Sequence, residues 1–392
     1  MKTTSEKLNI LKNNLKDRKA RIMIIGLGSV GNYLMDYLMS TADEGIEIAV
    51  VGRNALKMES DANIVRVASL IRNQNKTKIT VIGDTDLNDV SSIEKAIKNF
   101  SPDIIVNSSR AYSGLKYGSI SWANVRAYGI WSPLSIKFTK NIMEAYERAE
   151  SDAIVINTSY SDAVIPWLKS AGKAYPDFGS GNINHLIYRF KLAAGEMLDI
   201  KDYWNIDITF AVSHFHDVVI SKEGHTEGTE MMIELSYEGK PLPVTVDEII
   251  KNCGIPMPVD AKRNMMNASS NFEIIEAILS AVRDGKKTKL HCPGVFGEIG
   301  GYPVIIDGSS DEVKAYIDES KFSLSAMREK NRESIYFDGI ENVENGTLTY
   351  TDELIAKAEK AFGVKLVKNV PFDEIENVAE FIINEIINKN IG

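Results

Sequence analysis

Three glycines near the N-terminus constrain the fold of this chain more than any other feature. They are Gly26, Gly28 and Gly31 in MIIGLGSVGNYLMDYL, directly after an apolar run and at the start of a helical pattern. In this context Gly26 permits a tight turn, Gly28 lets the backbone approach a ligand, and Gly31 lets the helix lie close to the strand. The amides of Ser29 and Val30 would then face the bound group. The pattern predicts a pyrophosphate-binding turn, and therefore a dinucleotide site.

Short β-branched runs alternate with helical patterns through the first half of the chain. RIMIIGLG precedes a helix predicted over Ser29–Ser40, IEIAVVG precedes one across Met58–Ile71, and KITVIG, DIIVNSS and AIVINTS follow. This alternation predicts a parallel, doubly wound sheet of the Rossmann type. Because the strands are apolar without polar alternation, we expect both faces of the sheet to be covered.

The second half has a different pattern. IDITFAVSHFHDVVI and TEMMIELSYEGKPL predict strands, and helices are predicted around Phe272–Arg283, Asp352–Phe362 and Phe372–Ile387. We therefore predict an α/β protein with two domains. Residues 1–165 form a dinucleotide-binding Rossmann domain, and residues 166–392 form a mixed α+β domain for substrate binding and oligomerisation.

Composition limits the partners of the chain. Its 392 residues suit two domains, and a net charge of −9 disfavours nucleic acid and anionic membranes. The first twenty residues are polar, predict a short amphipathic helix, and lack the apolar centre of a secretory signal. Two cysteines cannot form a disulfide framework, which favours a reducing cytoplasm. We expect a cytoplasmic protein with a small-molecule substrate, assembled as a homodimer or homotetramer, with no nucleic-acid or membrane partner.

The end of the second strand indicates which dinucleotide binds. NAD sites usually carry Asp or Glu at this position, whereas this chain has Gly52, Arg53 and Asn54. A missing carboxylate removes repulsion against a 2′-phosphate, and Arg53 can pair with that phosphate. The sequence therefore favours NADP over NAD, the alternative being that Arg53 is an ordinary solvated arginine.

The next stretch, ITVIGDTDLNDVSSIEKAIKNFSPDIIVNSS, resembles saccharopine-dehydrogenase-like and extended short-chain dehydrogenases. The resemblance implies that an acidic residue after the third strand lies near the adenine. Asp86 matches that position, with Asp84 as its rival. It also implies that Ser108 and Ser109, at the end of the fourth strand, lie beside the cofactor.

A longer part of the chain resembles the lactate/malate dehydrogenases. AIVINTSYSDAVIPWLK, FGSGNINHLIYRFKLA and SIYFDGIENVENGTLTYTDELIAKAEKAF match segments of that family in order and spacing. The resemblance implies that Asn157 contacts both nicotinamide and substrate, and that Asn182, His185 and Arg189 bind substrate. The chain departs from the family in two places. His185 replaces the acid that orients a catalytic histidine, and Tyr188 occupies the arginine position, with Arg189 next to it.

A histidine is the expected proton donor, because its pKa lies near the operating pH. His214 and then His216 are the candidates, since the resemblance places the catalytic histidine in this region and the predicted strand points both side chains to one side. Asp217 lies too near in sequence to share that side of a strand, so no orienting acid is evident. After the fourth strand, a flap carrying Arg110 or Lys116 is expected to reach the substrate.

These features predict an NADP-dependent dehydrogenase or reductase that acts on a small carbonyl (2-oxo/2-hydroxy) or imine-type acid. The missing partner for the histidine leaves a non-catalytic NADP-binding sensor or partner-binding protein as an alternative. A third alternative is a nicotinamide- and metal-dependent lyase or glycosidase, which needs Cys and His ligands near the nicotinamide. No Cys lies near His214 in the sequence, and adjacent His291 and Cys292 cannot easily both point inward, so we expect no metal.

Overall fold

A parallel sheet organises the first half of the chain, as predicted. In the computed structural model, which describes residues 1–73, 75–112, 114–258 and 260–390, its strands are β1 (Ala20–Ile25), β2 (Ile46–Val51), β3 (Lys78–Ile82), β4 (Ile104–Asn107), β5 (Ile154–Asn157) and β6 (Phe178–Gly179). Their spatial order is β3-β2-β1-β4-β5-β6, and every neighbouring pair is parallel. The strand order reverses between β1 and β4, where ligands of such sheets bind beyond the carboxyl ends.

Helices connect these strands. They are α1 (Thr4–Asn14), α2 (Ser29–Ser40), α3 (Ala55–Asn73), α4 (Val90–Phe100), α5 (Gly114–Ile120), α6 (Ser132–Arg148) and α7 (Ser161–Ser170). The bounds of α2 agree with the prediction. The segment predicted to be a flap after β4 is largely helical, because α5 is followed by a π-helical turn over Ser121–Val125. The side chains of Leu115, Lys116 and Ser119 lie outside the described part, so the prediction for Lys116 falls there as well.

The second half mixes helices with small antiparallel sheets, as predicted. Its elements are α8 (Ile183–Leu198), β7 (Asp207–Ala211), α9 (His214–Glu223), β8 (Met232–Tyr237), β9 (Lys240–Pro241), α10 (Val246–Asn252), α11 (Asn264–Asp284), β10 (Lys287–Pro293), β11 (Gly301–Asp307), β12 (Lys314–Ile317), α12 (Leu324–Phe337), β13 (Ile340–Glu344), β14 (Thr347–Tyr350), α13 (Asp352–Phe362), β15 (Asn369–Pro371), α14 (Ile375–Phe381) and α15 (Asn388–Asn390). The small sheets are β7-β8-β9, β10-β11-β12 and β13-β14-β15.

The predicted strand through IDITFAVSHFHDVVI is wrong in its second half. Pairing with β8 stops at Ala211, and helix α9 begins at His214. Ser213 is extended at the helix start, and Gly224 ends the helix in a left-handed conformation with φ of 69°. The β-branched residues that suggested a strand, Val218 to Ile220, lie inside this helix. Buried packing thus outweighs their local strand preference.

Elements from both halves of the chain bury the two faces of the parallel sheet. On one face Met23 and Val155 belong to the same apolar cluster as Tyr350 in β14. On the other face Ile24 belongs to the same cluster as Ile278 in α11. The apolar strand sequences are explained by this double cover. The domain division at residue 165 stays a prediction, and the parallel sheet itself continues to β6.

Helix α1 is fixed to the sheet by a buried ion pair. The Lys7 ammonium lies 2.8 Å from a carboxylate oxygen of Asp177, and neither side chain is more than 1% exposed. The Thr4 hydroxyl and the Val155 amide also donate to this carboxylate, each at 2.8 Å. Three donors thus converge on the Asp177 carboxylate inside the protein, which compensates its buried charge.

Candidate active site

A cleft of about 1040 Å³ runs from the glycine turn between β1 and α2 to the N-terminus of α9. Its first end is lined by the turn, by the end of β2 and by the end of β4. Its second end is lined by residues of α8, α9 and the start of α11. The cleft therefore begins at the carboxyl edge of the parallel sheet, the place expected for a ligand.

The glycine turn has the geometry that its sequence predicts. Gly26 has φ of +91°, and a Cβ at Gly31 would lie 2.3 Å from the Gly26 carbonyl oxygen, so neither position accepts a side chain. By contrast, a Cβ at Gly28 would meet nothing within 4 Å. Gly28, Ser29 and Val30 line the cleft, and no side chain caps this helix start. The first amides of α2 are therefore open to an anionic ligand.

Basic and small residues line the cleft where β2 ends. Gly52, Arg53, Asn54 and Lys57 all contribute to this wall. A Cβ at Gly52 would lie 2.9 Å from the Met58 sulfur, so a larger residue would require the Met58 side chain to shift. The Asn54 side chain accepts from the Lys57 amide at 2.9 Å and begins helix α3. This wall of the cleft has no acidic residue. The exposed guanidinium of Arg53 can therefore face the ligand.

Asp86 does not line the cleft, although Thr85 and Leu87 on either side of it do. Its exposed carboxylate accepts from the amide and the side chain of Asn88, each at 3.0 Å. The pKa of Asp86 lies below its usual value, mainly because of the Asn88 amide and in part because of Arg53. Asp86 is thus near Arg53, but its side chain is occupied by the turn. Its proposed contact with adenine stays a prediction.

The end of β4 reaches the cleft through Ser108, Ser109 and Arg110. Ser108 donates to the Gly26 carbonyl at 2.6 Å, which fixes the β4 end against the glycine turn. Ser109 donates to the Asn107 side chain at 2.6 Å. Arg110 is exposed and lies against Gly114 at the start of α5, where it lines the cleft without a buried partner among the described residues.

Asn157 is fully buried behind the cleft wall rather than in it. Its amide oxygen accepts from Asn107 at 3.0 Å and from Thr139 at 3.1 Å. Its amide nitrogen donates to the Ser159 carbonyl and the Ser161 hydroxyl, each at 3.0 Å. The Asn157 side chain therefore uses these hydrogen bonds to hold β4 and β5 together. Its contact with nicotinamide and substrate stays a prediction.

His214 is the first residue of α9 and lines the second end of the cleft. Its side chain is only 12% exposed and lies between Tyr128 and Tyr160, whose rings meet it edge-on at centroid distances of 4.8 and 5.1 Å. The His214 amide donates to Asp162 at 3.0 Å. The ring is therefore held in one orientation with a limited opening toward the cleft.

Asp338 is the orienting acid that the sequence did not reveal. Its carboxylate lies 2.7 Å from Nδ1 of His214 and is fully buried. The Tyr160 hydroxyl donates to it at 2.7 Å and the Tyr128 amide at 2.6 Å. The acid comes from the turn before β13, 124 residues further along the chain. Nδ1 is thus engaged, and Nε2 has no hydrogen-bond partner in the described part of the chain.

Neighbouring carboxylates control the charge of His214. Burial alone would lower the pKa of the imidazole, but Asp338, Asp162 and Asp217 together hold that pKa above its ordinary value. The raised pKa extends to higher pH the range in which His214 is an imidazolium, the form that can donate a proton.

His216 lies away from the cleft. It is two residues after His214, about 200° around the helix, because the segment is not a strand. Its ring is fully buried, with Nδ1 2.7 Å from the Ser334 hydroxyl and Nε2 2.6 Å from the Glu227 carbonyl. Both nitrogens are occupied, so the structure gives His216 a packing role rather than the predicted catalytic one.

The GSGNINHLIYR segment does reach the cleft. Asn182 precedes α8 and donates to Asp162 at 3.1 Å. His185 lines the cleft, and its buried Nε2 has no partner in the described part of the chain. Burial lowers the pKa of His185 to about 4, so the ring is neutral at pH 7. Three of the side chains that the resemblance assigned to substrate binding, those of Asn182, His185 and Arg189, therefore share this end.

Arg189 and Asp217 face the cleft from neighbouring helices. Arg189 is 4% exposed, and among the described residues it donates to the carbonyls of Ser221 and Ile255 and to the Met257 sulfur. Asp217 is 7% exposed, and burial raises its pKa to about 6. The helical conformation brings it to the same side as His214, three residues earlier. The strand prediction had excluded this arrangement.

The described residues provide neither a cluster of metal ligands nor a helix that could span a membrane. Within residues 1–73, 75–112, 114–258 and 260–390, no three His, Cys, Asp or Glu side chains are grouped as metal ligands. Cys253 and Cys292 are free and buried, and the buried His291 accepts from the Phe210 amide at 3.3 Å. No helix in the same ranges has both the length and the apolar character needed to cross a membrane.

Solved malate and lactate dehydrogenases have a similar fold. Malate dehydrogenase from Plasmodium falciparum is 15% identical, with a TM-score of 0.56 over 88% of this chain and 99% of that one. The enzyme from Picrophilus torridus is 16% identical, with a TM-score of 0.55 over 82% and 96%. Lactate dehydrogenase from Eimeria maxima, solved with NADH and oxamate, is 14% identical, with a TM-score of 0.51 over 81% and 92%.

At these identities the likeness concerns the fold. No protein-family model matches the chain, and no curated protein matches it. The resemblance of the stretch after β2 to saccharopine dehydrogenases stays a prediction. The architecture predicted from the order of the sequence segments is confirmed: a Rossmann sheet followed by a mixed α+β part, with a lactate/malate dehydrogenase-like fold.

Proposed function

We propose that this protein is a nicotinamide-dinucleotide-dependent oxidoreductase that transfers a hydride between the cofactor and a small carbonyl (2-oxo/2-hydroxy) or imine-type acid. One observation carries the proposal: His214, which is held by the buried Asp338, lines the same cleft as the glycine turn. A phosphate-binding turn and an oriented proton donor in one cavity are what hydride transfer to a polar double bond requires.

The residues of the glycine turn fit a dinucleotide. The space in front of Gly28 is open, and the uncapped amides of Ser29 and Val30 suit a pyrophosphate. A bound nicotinamide would supply or accept the hydride. The protein must then exclude water from the far end of the cleft, and the aromatic rings around His214 contribute to that.

The protein supplies the proton and the substrate clamp. Asp338 accepts from Nδ1–H of His214, and the imidazolium can donate its Nε2 proton to the reduced oxygen or nitrogen. Arg189, whose guanidinium faces no carboxylate within 4 Å among the described residues, can bind the substrate carboxylate. In the oxidative direction His214 accepts the proton instead, by microscopic reversibility.

We also propose that NADP is preferred over NAD. Supporting this are the exposed Arg53, the nearby Lys57 and the lack of an acid in the β2 wall of the cleft. One charge-assisted phosphate contact is worth about 1.5–3 kcal/mol, so Arg53→Ala should weaken NADPH binding by about 10- to 150-fold and spare NADH. Fluorescence titration of both cofactors is the measurement. Equal affinities in the wild-type protein would refute the preference for NADP.

The activity is tested with NADPH and NADH against a panel of 2-oxo acids, aldehydes and 2-oxo acid–amine mixtures. His214→Asn should keep cofactor binding and lower turnover by about 10²- to 10⁴-fold. His225→Asn is a matched control, because that histidine is half-exposed, pairs with Glu223 and lies outside the cleft. Lack of binding of either dinucleotide, or full turnover in His214→Asn, would contradict the proposal.

The non-catalytic alternative loses the observation that suggested it. A sensor or partner-binding protein was favoured by the apparent lack of an acid beside the histidine, and Asp338 is that acid. The metal-dependent alternative likewise has no ligand group among the described residues. A homodimeric or homotetrameric assembly and a cytoplasmic location stay predictions from the sequence.

A further inference from the structure

Resting on the proposed function, we infer that the substrate carries a cationic nitrogen as well as carboxylates. It is an amine or imine acid of the amino-acid type, and Asp217 binds its nitrogen. A plain 2-hydroxy or 2-oxo acid would leave this carboxylate without a partner. The inference chooses between the carbonyl and imine classes that the proposed function leaves open.

Asp217 has a buried carboxylate that faces the cleft and is not paired with any group in the described part of the chain. Asp217 is 7% exposed, and it lines the second end of the cleft. In the described part of the chain its side chain has no hydrogen bond and no ion pair within 4 Å. The two neighbouring acids differ, because Asp338 holds His214 and Asp162 holds Asn182 and the His214 amide. Burying a carboxylate in this state is costly unless a ligand pairs with it.

A second hydrogen-bond acceptor lies at the same end of the cleft. His185 has a hydrogen bond with the Met266 backbone, and its other ring nitrogen, Nε2, is buried with no partner among the residues that the structure describes. A neutral imidazole that donates through one nitrogen accepts through the other. A ligand that places N–H groups in this region would satisfy both His185 and Asp217.

The cations around Asp217 explain why carboxylates must accompany the nitrogen. Arg189 and Arg263 both act on Asp217 electrostatically, and neither guanidinium has a carboxylate within 4 Å among the residues described. Lys222 also lines this end, 3.3 Å from the Tyr128 hydroxyl and 5.1 Å from the centroid of the Trp122 ring. Three cations therefore line this end with two acids, Asp217 and Asp260, and that excess of cations is complementary to a ligand whose carboxylates outnumber its cationic nitrogen.

The chemistry of such a substrate fits the residues present. In the oxidative direction, the hydrogen on the carbon beside nitrogen leaves as hydride to the oxidised nicotinamide, and the N–H proton passes to His214. The C–N single bond thereby becomes a C=N double bond, and reduction is the reverse. Asp217 stabilises the protonated, positively charged nitrogen on either side of this step.

The test uses ligand pairs that differ only at nitrogen. Iminodiacetate is compared with its ether analogue diglycolate, and alanine with lactate, by calorimetry on the wild-type protein with and without saturating NADPH. The nitrogen member of at least one pair should bind at least about 10-fold tighter, as expected for one charge-assisted contact. Asp217→Asn should abolish that difference. Arg263→Ala is the matched control: it should weaken both members of a pair equally, because both share the carboxylates.

The results separate this inference from the proposed function. Equal binding of the two members to the wild-type protein, no binding of either nitrogen compound, or a preference that survives Asp217→Asn would each overturn the inference. If diglycolate binds better to Asp217→Asn while discrimination is unchanged, Asp217 merely neutralises the arginines, and the inference again fails. If dinucleotides do not bind but Asp217-dependent discrimination remains, the ligand class stands and the oxidoreductase proposal fails.

Discussion

Asp338→Asn should separate the role of the orienting acid from its role in packing. In the wild-type protein this carboxylate is fully buried and receives the Tyr128 amide, the Tyr160 hydroxyl and Nδ1 of His214. Asparagine keeps the size of the side chain and removes the charge. It therefore changes the hydrogen bond to His214 with little change in volume.

The expected loss follows from that one bond. A hydrogen bond to a charged group contributes about 1.5–3 kcal/mol, and about 1.4 kcal/mol corresponds to a tenfold rate change, so turnover should fall about 10- to 150-fold. The pKa of His214 should also fall from its wild-type value, because burial would then act without the nearest opposing carboxylate. In the reductive direction, wild-type activity should decline as pH rises through the raised His214 pKa, and this decline should move to lower pH in the variant.

Two measurements check these expectations. The pH dependence of turnover gives the kinetic pKa, and NMR titration of the histidine ring signals gives the His214 pKa without any substrate. Tyr160→Phe is the control, because it removes another bond to Asp338 and keeps the aromatic ring against His214. An unchanged His214 pKa in Asp338→Asn would refute the reasoning. So would a loss of turnover in Tyr160→Phe as large as that in Asp338→Asn.

Three further predictions concern the turn, the second histidine and the unpaired acid. Gly28→Ala should fold normally but lose NADPH affinity, whereas Gly31→Ala should destabilise the protein, because its Cβ would lie 2.3 Å from a backbone oxygen. Thermal melts and NADPH titration distinguish the two, and unchanged affinity in Gly28→Ala would exclude the turn as the site. His216→Asn should lower stability while turnover per folded molecule stays near normal, and a large loss of turnover at full stability would restore a catalytic role. Asp217→Asn should stabilise the ligand-free protein at pH 8 by at most about 3 kcal/mol, since its pKa rises from 3.8 to about 6 on folding. The penalty removed is complete above about pH 6, so urea denaturation should show the gain shrinking as pH falls toward 5.

The first half of the fold was predictable because its signals are local. The glycine spacing sets the turn, and the bounds of α2 agree with the sequence pattern. The start of α9 was not predictable, because three β-branched or apolar residues after His216 resemble a strand until tertiary packing selects a helix. Because a strand was predicted here, Asp217 was excluded from the side of His214, and His216 was wrongly placed on that side.

Part of the candidate site was beyond sequence reasoning for a different reason. The partner of His214 is 124 residues away, in a turn whose FDG sequence has no distinguishing feature. For Asn157 the position in the fold was predictable, but the direction of the side chain was not. Its position at the end of β5 was inferred correctly, but a strand end does not determine whether a side chain faces a ligand or the neighbouring strand. Contacts between distant segments decide both cases.

The buried ion pair between Lys7 and Asp177 has a consequence for the order in which the chain can fold during synthesis. Asp177 precedes β6, and its partner Lys7 lies 170 residues earlier, so during synthesis the Lys7 ammonium of helix α1 is paired only after the chain up to Asp177 has been made. Until then the amphipathic helix α1 lacks the carboxylate that pairs with its Lys7 ammonium. Shortening the chain past Lys7 would leave Asp177 buried without its counter-ion, a change that typically costs about 3–5 kcal/mol. Fusion partners and purification tags on this chain are therefore better attached before residue 1 than exchanged for its first helix.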